Sequence, residues 1–109
     1  MTTDYGKQLN FILEELRPVT PATVVRLEAL RALYGPAVVF YGAYVVLGLQ
    51  LHVDRYGVEA LIFLTRQDVL RDIPAERLSP ETQELIEDLV RYFCAEHHVD
   101  GIFQRNPPR

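Results

Sequence analysis

Between Arg31 and Asp54 the chain carries no charged residue. A chain of 109 residues has room for one such centre, so every other segment must cover it or extend it. Its heart, Ala37 to Val53, reads AVVFYGAYVVLGLQLHV. From Val45 the pattern alternates. Val45, Leu47, Leu49, Leu51 and Val53 fall on one side, with Val46, Gly48, Gln50 and His52 on the other. A period of two predicts a strand with one buried and one wetter face. One strand over 37–53 would run about 56 Å at ~3.3 Å per residue, too long for a domain of this size. A bend at Gly42, where no Cβ obstructs, divides it into two strands, 37–41 and 44–53.

The same uncharged run, residues 32–53, is long enough for a membrane-spanning helix, which needs about 20 residues. Gly35, Pro36, Gly42, Gly48, Gln50 and His52 interrupt it, and its second half alternates. A sheet element of a soluble protein is therefore the expectation, with membrane association through 32–53 as an alternative. The opening MTTDYGKQLN has no basic segment leading into an apolar run, so it does not read as a signal peptide. The expected location is cytoplasmic, with no membrane partner.

The flanks read as helices. Thr3 or Asp4 can cap a first helix to about Arg17, with Leu9, Ile12, Leu13 and Leu16 on one stripe. Pro18 ends it. Thr20 and Pro21 start a second helix with Val24, Leu27, Leu30 and Leu33 on its apolar face; Gly35 is placed to cap it and Pro36 to stop it. Asp54 to Gly57 reads as a hairpin turn into a strand over 58–65, apolar on both faces. Thr65 to Asp68 suggests a short capped turn ending before Pro74. Ser79-Pro80-Glu81 opens a long helix to about His98, with Leu85, Ile86, Leu89, Val90 and Phe93 inward. Residues 102–105 suit a fourth, edge strand, and 106–109 a tail. The expected fold class is α+β: two N-terminal helices, a central, mostly antiparallel sheet of three or four strands, and a long C-terminal helix packed on it. Residues 1–105 form one domain.

Few groupings suggest chemistry. Cys94, His97 and His98 lie at i, i+3 and i+4 on the last helix, a spacing that suits Zn²⁺, and His52 is the only other histidine. A structural zinc site needs a fourth ligand, and the plainer reading makes Cys94 a small buried hydrophobe and the histidines companions of a helix C-terminus. No metal or cofactor is expected. The one serine, Ser79, sits at a helix cap. Glu14-Glu15 and Glu87-Asp88 are adjacent helical pairs that diverge by about 100° and do not converge on one substrate atom. No dinucleotide fingerprint, P-loop or H-E-x-x-H occurs.

The acidic balance, formal charge −4, lacks the footprint that phosphate backbones reward, so nucleic acid is not an expected partner. Six tyrosines are more suggestive. Tyr and Arg carry binding energy at protein interfaces, and Phe40, Tyr41, Tyr44, Arg55 and Tyr56 cluster around the central stretch. The expectation is a small non-enzymatic protein-binding domain, of inhibitor, immunity, chaperone or adaptor type, acting through an aromatic-rich sheet surface. Self-association as a homodimer is expected too, because an uncovered apolar sheet face would be a large exposed patch. The alternative is a small enzyme or ligand-binding protein using His52, Cys94, His97 and His98.

Overall fold

The computed structural model describes residues 4–100. In chain order they form α1 (Tyr5–Leu16), α2 (Pro21–Tyr34), α3 (Pro36–Tyr56), a 3₁₀ helix (Val58–Phe63), α4 (Arg66–Leu70), a 3₁₀ turn (Ala75–Arg77) and α5 (Pro80–Glu96). Among the described residues there is no strand, so the expected α+β architecture is overturned in favour of a helical bundle. The strands expected at 37–41 and 44–53 are one continuous helix. The strand expected at 58–65 is a 3₁₀ helix followed by extended Leu64 and Thr65. The edge strand and tail expected at 102–105 and 106–109 lie outside the described residues.

The reason lies at Gly35-Pro36. Gly35, at φ 86°, ends α2 in a conformation that L-residues avoid, and Pro36 then opens α3 at its first position. A proline that cannot continue one helix is pre-set to begin another. Pro21 and Pro80 do the same for α2 and α5. Within α3 the buried residues include Val39, Gly42, Ala43, Val46, Leu49 and Gln50, a helical spacing of three and four. The alternation from Val45 to Val53 is a coincidence of composition, because a helix apolar nearly all round offers a match to any period. As a helix its 21 residues span about 31 Å at 1.5 Å per residue, which removes the length problem posed by a single strand.

Helix α3 is the axis of the bundle. It packs against α1, α2, α5 and the 3₁₀ helix, and α2 also meets α5. The stripes of α1 and α5 are buried where the sequence pattern puts them, Leu9, Ile12, Leu13 and Leu16 on one and Leu85, Ile86, Leu89, Val90 and Phe93 on the other. On α2, Val24, Leu27 and Leu30 are buried but Leu33 is exposed. At Gly42, α3 packs directly against Leu85 and Leu89 of α5. A Cβ there would meet Leu89 Cδ1 at 2.5 Å and Leu85 Cδ2 at 3.1 Å.

Two polar devices fix helix ends. The Glu96 carboxylate, at the end of α5, caps the start of α2 across the bundle. Glu96 Oε1 accepts from Thr20 Oγ1 (2.5 Å), Thr23 Oγ1 (2.6 Å) and the Thr23 N–H (2.9 Å), while Oε2 accepts from the Ala22 N–H (2.9 Å). Thr20 makes no side-chain cap of its own, so a distant residue fulfils the capping role that its position suggests. Helix α5 itself closes in a Schellman arrangement. The Val99 N–H donates to the Cys94 carbonyl (2.8 Å) and the His98 N–H to the Ala95 carbonyl (3.1 Å), with His98 left-handed at φ 61°.

Candidate functional site

The outward side of α3 carries Phe40, Tyr44, Gly48, Leu51 and Arg55, spaced four, four, three and four apart so that they share one face. Tyr44 is 43% exposed, Leu51 60% and Tyr56 61%. Beside this face the chain returns through Leu64 and α4 to Ile73, and the two walls enclose an open groove of about 590 Å³. Its floor is apolar, with Leu47, Gly48 and Leu51 from α3 and Val69 and Ile73 opposite. Tyr44 stands at one end and His52 and Tyr56 at the other, their rings 4.9 Å apart. Gly48 lies midway, and a Cβ built there meets nothing within 4 Å.

The far wall supplies the charge. Thr65 and Asp68 form a capping box: the Thr65 N–H donates to Asp68 Oδ2 (2.9 Å) and the Asp68 N–H to Thr65 Oγ1 (3.1 Å). Arg71 donates to Asp68 Oδ1 at 2.7 Å. The hydrogen bonds from Thr65, helped by Arg71, hold the Asp68 carboxyl below its ordinary range despite some burial. Asp72 also lines the groove and has no ion-pair partner among the described residues.

The five residues expected at a binding surface divide between two sites on this helix. Phe40 and Tyr41 join Tyr5 of α1 in a ring cluster, with Phe40 5.3 Å from Tyr5 and 5.2 Å from Tyr41. Tyr5 and Tyr41 share a hydroxyl–hydroxyl contact of 3.4 Å, and this bond together with burial holds the Tyr41 phenol above its usual range, against the pull of Arg77. These two are largely packing residues. Tyr44 bridges the cluster and the groove, its ring 6.2 Å from Phe40. Arg55 lies over the Tyr56 ring at 5.4 Å, at the far end of α3. The sheet surface they were expected to share does not exist, and on α3 the five do not share one face.

The face assignments within 45–53 change with the geometry. Leu51, expected inward, is exposed; Gln50, expected on the wet side, is 8% exposed and donates to Asp54 Oδ1 at 3.0 Å. Gly48 and Leu51 were missed as site residues because an alternating reading set Gly48 aside as a strand glycine and buried Leu51. A helical wheel of the same residues finds both.

The residues of the metal or catalytic alternative do not form one site. Cys94 is 1% exposed, and burial pushes its thiol up to about 11. His97 is the C-cap of α5, its ring 4.3 Å from Phe93. His98 carries the left-handed turn, and His52 lies in the α3 groove. Among the described residues, no three His, Cys, Asp or Glu side chains gather around a point that could hold a metal ion.

Helix α3 is long and apolar enough to cross a membrane by length and composition, and 39% of its apolar 18-residue window is buried within the bundle. The core helix of a soluble protein meets the same test. No protein-family model, curated protein or solved structure matches the chain.

Proposed function

We propose that the protein is a non-enzymatic protein-binding domain and that the outer face of α3, with its groove, is the surface it uses. The observation that carries this reading is the placement of Tyr44, Leu51 and Tyr56, three large apolar or aromatic side chains exposed along one helix beside a cleft with an apolar floor. Tyrosine and aliphatic anchors in a concave site are what interfaces use, and a contiguous apolar patch of this kind costs solubility unless something covers it. The reading against catalysis draws on Cys94, a buried protonated thiol, and on histidines spread over a groove, a helix cap and a turn.

Membrane association through residues 32–53 is the competing reading, favoured by the length and apolar character of α3. Against it, α3 commits Val39, Ala43, Val46 and Leu49 to the core, and a spanning α3 would strip the other helices of the surface they pack on.

A photo-crosslinking residue placed at Leu51, compared with one at Glu84 on the exposed side of α5, tests the reading in the native host. We expect a discrete protein adduct from Leu51 that Tyr44→Ala weakens, and none from Glu84. The reading fails if both positions label the same proteins, or if Leu51 labels only lipid.

A further inference from the structure

The groove has a length, a floor and a charge, and together they describe an occupant. Tyr44 and Tyr56, at its two ends, are twelve residues apart on one helix, about 18 Å at 1.5 Å per residue. That is three turns of a second helix, longer than a compact small molecule needs. At Gly48 the floor carries no side chain, and nothing lies within 4 Å of the Cβ position. A large aliphatic side chain fits there, with Tyr44 on one side and Leu51 on the other, as a knob enters a hole. On the wall, Arg71 is engaged by Asp68 at 2.7 Å, so Asp72 is the charge left over, on a chain whose formal charge is −4.

We infer that the groove takes an amphipathic helix of about three turns from a partner protein, apolar on one stripe and basic on its flank. The inference rests on the protein-binding reading above and narrows it to one class of partner. The apolar stripe lies on Leu47, Gly48 and Leu51, and a Lys or Arg of the flank meets Asp72. Complementary charge at such a rim acts mainly on encounter and on the choice between partners.

Two labelled amphipathic peptides test this by fluorescence anisotropy. They share a leucine stripe at i, i+3, i+4 and i+7, and differ only in carrying Lys or Glu at the flanks. We expect the Lys peptide to bind the intact protein about tenfold more tightly than the Glu peptide. Gly48→Trp starts from a position where an added Cβ meets nothing within 4 Å and places a bulky ring over the floor; it should weaken the Lys peptide about tenfold, with the circular dichroism spectrum unchanged. Asp72→Lys should shift the ratio about fivefold toward the Glu peptide. Equal binding of the two peptides, or indifference to Gly48→Trp, overturns the proposal. So does a sedimenting homodimer that Gly48→Trp dissolves, which assigns the groove to a second copy. Binding to vesicles of phosphatidylcholine and phosphatidylglycerol that Gly48→Trp abolishes overturns it in favour of a lipid surface. If Leu51 crosslinks a protein in the host while neither peptide binds, the protein-binding reading stands and the basic helix does not.

Discussion

At Glu96 a single carboxylate serves four donors, two of them hydroxyls on residues with no exposed surface, Thr20 and Thr23. Removing it leaves buried donors without partners, so Glu96→Ala should cost about 1–3 kcal/mol of unfolding free energy, and Glu96→Gln, which keeps an acceptor, less. Burial raises the Glu96 carboxyl, but the bonds from Thr20, Thr23 and the two N–H groups outweigh it, and the group lies below its ordinary 4.5. A carboxyl depressed in the folded state stabilises fully above the unfolded value and loses that contribution as pH falls through the folded one. Urea midpoints followed downward from neutral pH should therefore fall less steeply in Glu96→Gln than in the parent; parallel curves would remove Glu96 from the acid response. Cys94 gives a second test at this scale. Buried and held near 11, its thiol should resist a thiol reagent at neutral pH until urea unfolds the chain. Prompt labelling of the native protein would show that the end of α5 opens readily.

At the scale of the element, α3 contains two glycines whose replacement should act with opposite signs. Gly42 lies against Leu85 and Leu89, both buried, so Gly42→Val forces the α3–α5 contact apart and should destabilise by about 1–3 kcal/mol. Gly48 faces open space, and Gly48→Ala should stabilise by roughly 0.5–1 kcal/mol through helix propensity. Chemical unfolding of the two variants reads both effects, and the same sign for both would mean that α3 is not packed as described. The ion pairs of the outer surface, Arg26 with Asp88 at 3.0 Å and Arg66 with Glu87 at 3.0 Å, tie α5 to α2 and α4, but their partial exposure keeps each contribution small.

For the whole molecule, one core runs through α1, α2, α3 and α5 around a shared central helix. Such a core should unfold as a unit, with a far-ultraviolet circular dichroism spectrum dominated by helical minima and one urea transition common to circular dichroism and tyrosine fluorescence. A substantial strand signal would contradict the bundle, and separate transitions would detach α3 from the helices around it.

Local chemistry alone determined much here. Caps and prolines place α1, α2 and α5 close to their true ends, Thr65 and Asp68 mark α4, and Gly35 and Gly57 are left-handed where the punctuation suggests. Gly57 nevertheless closes a helix, where a hairpin was expected. These features depend on neighbours within four residues, which a linear sequence displays. The central stretch was harder because burial on most sides removes the polar residues that reveal a period. The alternation from Val45 reads as a strand, although Val39, Gly42, Ala43, Val46 and Leu49 also fall at helical spacing, and only packing against α1, α2 and α5 decides between the two periods. The Glu96 cap could not be read, since it joins residues more than seventy positions apart. The groove could not be read either, because it exists only where the outer face of α3 meets a chain that returns past Gly57.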